Sequence, residues 1–142
     1  MFDLDVIRPA LLANLADLCE EQGLQQSPYM LALPTPPTLQ IAGVTEINYD
    51  ITMQRGGDAN FIAVQVFVSM VADVGGQMKL DKMLKSSGST SVKEAIESDT
   101  TLGGIIDDLR VTRSMGHQQF QRPGDNDLVI GSTWIVQIET TG

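Results

Sequence analysis

The stretch Lys85-Ser86-Ser87-Gly88-Ser89-Thr90-Ser91 places a lysine and five hydroxyl residues around a glycine, ahead of a helical pattern. That is the composition of a phosphate cradle, in which loop amides hold the phosphates and a lysine reaches the outer ones. The chemistry needs Gly-x-x-x-x-Gly-Lys-Ser/Thr between a strand and a helix. Here there is one glycine, the lysine precedes the loop, and the segment before it reads as helix. A simpler role fits the same residues. Gly88 can adopt the left-handed conformation that ends a helix. Ser89 or Ser91 can cap the next one, and Ser91-Val92-Lys93-Glu94 has capping-box spacing. The stretch therefore reads as a corner between two helices.

The other candidates for chemistry are sparse. His117 is the single histidine, in a polar loop, and the chain has no Gly-x-Ser-x-Gly elbow to supply a nucleophile. Asp107-Asp108 and Asp125-Asn126-Asp127 are acidic clusters. The second lacks the central glycine and terminal glutamate of a calcium loop and reads as a turn with Pro123 and Gly124. Cys19 is the single cysteine, so an intrachain disulfide and a thiolate metal cluster are excluded. The sequence predicts no enzyme, no cofactor and no metal.

These residues are carried by a regular pattern. Ile7, Leu11, Leu15 and Leu18 make one apolar stripe and predict a helix over 8–22, with Pro9 in its first turn and Gly23 past its end. The Pro-rich segment of about 24–37 reads as an irregular tether. Val44 to Gln54 alternates apolar and polar residues. After the turn signal Arg55 to Ala59, Phe61 to Ala72 has one wholly apolar face and a mixed one with Phe61 and Phe67. The two predict a β-hairpin whose second strand is the more central. Cover for the mixed face is expected from another subunit or from the N-terminal segment.

A short helix follows, marked by Met78, Leu80, Met83 and Leu84. Then come the corner, a second short helix to about Ser98, and a break at Leu102-Gly103-Gly104. Leu109 to Thr112 predicts a third strand, 114–127 a long polar hairpin loop, and Leu128 to Glu139 a last strand with Trp134 on its core face. The expected fold is a single α+β domain over residues 1–142. It has a mostly antiparallel sheet of about four strands, with the N-terminal helix and one or two short helices on one face.

The composition is that of a globular chain: 142 residues, 42% hydrophobic and 19% charged. The formal net charge is −9. That disfavours wrapping of nucleic acid, which needs a basic face, but suits a wall along which DNA slides without sticking. No basic leader and no long apolar run are present in the sequence, so neither a signal peptide nor a membrane span is expected.

The run INYDITMQRGGDANFIAVQVFVSMVAD, then LDKML, then SGSTSVKEAIESDTTLGGIIDDLRVT, then STWIVQIE resembles the tail terminator proteins of long, flexible-tailed bacteriophages, especially those of actinobacterial hosts. The resemblance covers about Ile47 to Glu139 and is most specific from Ser89 to Val111. It implies a small α+β domain that assembles as a homohexameric ring on the last ring of the tail tube. Such a ring ends tube polymerisation and offers a docking surface to the head. The implied partners are other copies of the chain, the major tail tube protein and the head-completion or neck proteins. Genomic DNA would only pass through the lumen, and no membrane is involved. The implied location is the tail–neck junction of the virion, after assembly in the host cytoplasm.

Two other readings fit the same residues. One is a neighbouring neck role, as a head-closure or connector-side completion protein, or as a minor tail subunit. The other is a small ligand-binding domain or enzyme using Lys85 to Ser91 or His117. For ring contacts, the expected residues are Arg55, Asp58 and Asn60 at one hairpin tip and His117, Phe120 and Arg122 in the long loop. Aromatic and arginine side chains are common interface anchors.

Overall fold

The computed structural model describes residues 3–29, 37–46, 58–70, 74–121 and 128–140. Its elements in chain order are α1 (Leu4–Gln22), β1 (Gln25–Ser27), β2 (Thr38–Glu46), β3 (Asp58–Met70), α2 (Val74–Met83), α3 (Val92–Ile96), β4 (Asp108–Ser114), β5 (Gln118–Gln121) and β6 (Leu128–Thr140). They form an α+β domain around one six-stranded sheet of order β1-β2-β3-β6-β4, with β5 also on β6. All pairings are antiparallel except β1 with β2.

The expectation of about four strands is corrected to six. β1 lies inside the segment read as a tether, and β5 inside the segment read as a loop. β2 begins at Thr38 rather than Val44, and the alternating residues Ile47 to Gln54 lie outside the described residues. The predicted antiparallel pairing and the central position of β3 are found: β3 runs between β2 and β6.

α1 starts earlier than its stripe suggests because the Asp3 carboxylate caps it, accepting from the Asp5 N–H at 3.1 Å. Pro9 accordingly sits beyond the first turn. Gly23, at φ 68°, closes the helix, and the Leu24 N–H returns to the Cys19 carbonyl at 2.8 Å. Ile7, Leu11 and Leu15 are fully buried and pack with Ile62, Val64 and Val66 of β3 and Val136 and Ile138 of β6. Leu80 and Met83 of α2 and Val92 and Ile96 of α3 join the same cluster, so all three helices cover one face. Each such side chain contributes about 1.5–3 kcal/mol by leaving water.

The other face is already closed within one chain. Phe67, Ala63, Ala42, Ile135 and Val129 are all buried, and α1 belongs to the opposite face. Within the N-terminal segment expected to cover this face, α1 lies on the opposite one, and Phe67 and Ala63 are buried without a second subunit. A chain of side-chain hydrogen bonds crosses this face. Gln40 donates to Gln65 at 2.9 Å, Gln65 to Thr133 at 3.4 Å, and Thr133 to Gln118 at 2.8 Å. It links β2, β3, β6 and β5. Beside it Phe67 and Phe120 meet edge to face, with centroids 5.0 Å apart.

Candidate functional site

The corner after α2 is held by its own hydroxyls. Thr90 Oγ1 donates to the Lys82 carbonyl at 3.0 Å, and Ser91 Oγ donates to the Lys85 carbonyl at 2.6 Å. Ser91 Oγ also accepts from the Glu94 N–H at 3.1 Å and so caps α3. The capping box is half-formed. The Glu94 carboxylate reaches the Gly88 N–H at 2.9 Å instead of the cap's own amide. Gly88 does have a positive φ, 108°, but it lies five residues past the end of α2 and shapes the loop rather than ending the helix. The Gly88 and Ser91 amides and the Thr90 and Ser91 hydroxyls are thus engaged internally. Replacing Ser91 by alanine removes both bonds and is expected to cost about 1–2 kcal/mol. A fall in the urea midpoint without a change in slope checks this.

The next corner turns the chain from α3 into β4. The Asp99 carboxylate accepts from the Thr101 N–H and hydroxyl, both at 3.1 Å, and from the Gly103 N–H at 2.9 Å. Those bonds, the Thr101 amide first, hold its carboxyl below the usual range. Leu102, Gly103 and Gly104 all have positive φ, and the Leu102 side chain is anchored in the core. Because the folded-state value of Asp99 is depressed, its contribution is present above its unfolded value and lost as the pH falls through the folded one. Asp99→Ala is expected to be less stable than the wild type at neutral pH, with a gap that narrows below about pH 4. Urea midpoints at the two pH values measure it.

Several residues escaped the sequence reading. Asn14 donates to the carbonyls of Ile96 and Asp99, both at 3.0 Å, and ties α1 to the end of α3. Glu97 bridges Lys93 at 2.5 Å and accepts from the Val111 N–H of β4 at 2.9 Å. It thereby occupies an outward amide on an edge strand. Arg8 is buried, donates to the carbonyls of Pro28 at 2.6 Å and Ile41 at 3.0 Å, and lies 4.7 Å from the centre of the exposed Tyr29 ring. The sequence signal for Arg8 was a lone charge next to the apolar stripe of α1. The Cys19 thiol is pushed up to about 11 by burial, so it stays protonated and unreactive near neutral pH.

Four of the six expected contact residues are among the described residues. Arg55 and Arg122 lie outside the described residues. Asp58 opens β3 opposite Thr140. Asn60 is fully buried within β3, opposite Ile138. It lies within the strand rather than at a hairpin tip, because the strand begins two residues before it. Phe120 is half-buried on β5 against Phe67 and belongs to the sheet. His117 is exposed, and its Nε2 lies 2.6 Å from Asp81 Oδ1, which fastens the β4–β5 corner to α2. Such an exposed pair contributes about 0–1 kcal/mol.

Asp107 and Asp108 are exposed at the start of β4, while Asp125 to Asp127 lie outside the described residues. Among the described residues no cluster of three acidic, histidine or cysteine side chains is placed to hold a metal ion. No described helix is long and apolar enough to cross a membrane. No protein-family model matches this chain, and no curated protein matches it significantly.

Proposed function

We propose that this chain is a virion structural protein that forms a ring on the end of a phage tail tube, ends tube polymerisation and presents the docking surface for the head or neck. The reading rests on the resemblance of Ser89 to Val111 and its flanks to tail terminators. One observation supports a structural role for that stretch. Its Thr90, Ser91, Glu94, Glu97 and Asp99 side chains all bond backbone of the same chain. They build a double corner that delivers β4 to the sheet, which is the work of a scaffold rather than of a ligand site. The acidic net charge of −9 suits a conduit that passes DNA without binding it.

The test uses the purified chain and a polymerising tail tube protein. Electron microscopy is expected to show closed rings of about six subunits, six coming from the resemblance and closure from head-to-tail interfaces. The rings are expected to sit at tube ends and to halt elongation. Binding to head-side rings without effect on tube growth would reassign the chain to a neck role. A monomer with saturable nucleotide binding at Lys85 to Ser91 would overturn the proposal.

A further inference from the structure

The outward faces of α1 and α2 carry matching patterns. On α1, Pro9, Ala13, Asp17 and Glu20 are exposed. They lie on the side away from the buried stripe Ile7, Leu11, Leu15 and Leu18. On α2 and its continuation, Val74, Met78, Lys82 and Lys85 are exposed, opposite the buried Gly76, Leu80 and Met83. Pro9, Ala13, Asp17 and Glu20, and likewise Val74, Met78 and Lys82, have spacings of four or three, so each set makes a single stripe along its helix, and Lys85 follows two residues past the end of α2. Aligned in the same direction, they place Val74 on Pro9, Met78 on Ala13, Lys82 on Asp17 and Lys85 on Glu20. One end of each stripe is apolar and the other is charged, with opposite sign on the two helices.

The charge is segregated more widely. All four lysines of the chain fall between residues 79 and 93. α1 exposes Asp5, Asp17, Glu20 and Glu21, and its one base, Arg8, is buried. Glu20 and Glu21 stand at the carbonyl end of α1, where an acid is unfavourable and the last turn holds no base. Among the described residues, Lys79 of α2 brings positive charge there through its bond to the Gln22 carbonyl. On α2, Val74 is 66% and Met78 is 59% exposed. Asp81, the one acid on that face, is already engaged by His117. Lys82 and Lys85 are left facing outward.

Both faces point away from the core of their own chain, so they cannot meet within it. We propose that the outer face of α2 docks on the outer face of α1 of a second copy, helices parallel. Met78 would seat on the small Ala13, with Lys82 and Lys85 against Asp17 and Glu20. The two patches are different surfaces, so the contact is head-to-tail and leaves each copy one free patch for the next neighbour. The inference rests on the ring reading only for closure of the chain of contacts.

A charge exchange tests it, read by sedimentation velocity over a range of protein and salt concentrations. The wild type is expected to self-associate, and less so at high salt. K82E/K85E and D17K/E20K are each expected to weaken association on the order of tenfold or more. The four changes together are expected to restore it. All four positions are exposed, and circular dichroism verifies that each variant folds. Cysteines at Ala13 and Met78 in one chain are expected to crosslink between copies. Rings indifferent to both reversals would overturn this interface and leave the ring reading standing. Open oligomers that dissolve on reversal and return on exchange would support the interface and overturn the ring. A wild type that stays monomeric at all concentrations overturns the interface.

Discussion

Gly131→Ala is expected to lose about 3 kcal/mol or more of folding stability, a large fraction of the roughly 5–15 kcal/mol that holds a domain folded. Gly131 lies on β6 opposite Phe67, where β3 makes a register shift between Phe67 and Ser69. A β-carbon there would stand 2.0 Å from the Val66 carbonyl oxygen and 3.1 Å from the Phe67 α-carbon. Both obstacles are backbone, so relief requires separating the two central strands. Residue 131 also pairs with Gln118 on β5, so the movement would reach the far edge. Thermal and urea unfolding of the variant check this. A midpoint within experimental error of the wild type would refute the close approach of β3 and β6.

Trp134→Ala is expected to cost about 3–5 kcal/mol, the range for removing a large aromatic from a core. Trp134 is 1% exposed and lies opposite Val64 on β3 and Ser114 on β4. It shares its face with Val136 and Ile138, which are fully buried. The cavity would open beneath the helices, where α1 and α2 rest on the sheet. Trp134→Phe keeps most of the buried area and is expected to recover more than half of the loss. Because this is the single tryptophan, the wild-type emission maximum reports the same event. It is expected to move to longer wavelength in step with unfolding.

The elements that sequence made legible are those with an uninterrupted period. α1, β3 and β6 each present a regular buried face, and their pairing and core residues follow from it. Ser91 was legible as a cap because a hydroxyl followed three residues on by glutamate has a local mechanism. β2 was less so. Its Leu39 and Ile41 face the helices, but Gly43 and register shifts at Val44 and Glu46 break the alternation, and prolines precede it. β1 and β5 are three and four residues long, and polar apart from Phe120, so no apolar period can mark them. They are strands because a neighbour offers hydrogen bonds, a tertiary cause. Asn60 was misplaced for a related reason. Gly56, Gly57 and Asp58 are turn residues by type, yet β3 already begins at Asp58.

The contact surface was hidden at first for a different reason. The spacing of exposed residues on one helix does not show which other surface they match. The correspondence of Pro9, Ala13, Asp17 and Glu20 with Val74, Met78, Lys82 and Lys85 appears only once the structure shows which side of each helix is outward. Arg8 is comparable: its charge is evident in the sequence, but its two carbonyl partners lie 20 and 33 residues away.

The strand order carries a consequence for biosynthesis. β6 runs through the middle of the sheet, and β3, β4 and β5 all pair with it. On the ribosome, residues 128–140 emerge after every element that depends on them. Until then β3 has one unfilled edge, β4 and β5 have no partner, and the burial around Trp134 is absent. Nascent chains are thus expected to stay protease-sensitive until residue 140 clears the exit tunnel, and then to fold in one late step dominated by distant contacts. A chain that completes its sheet only when its synthesis has passed that point presents no finished interaction surface while half made.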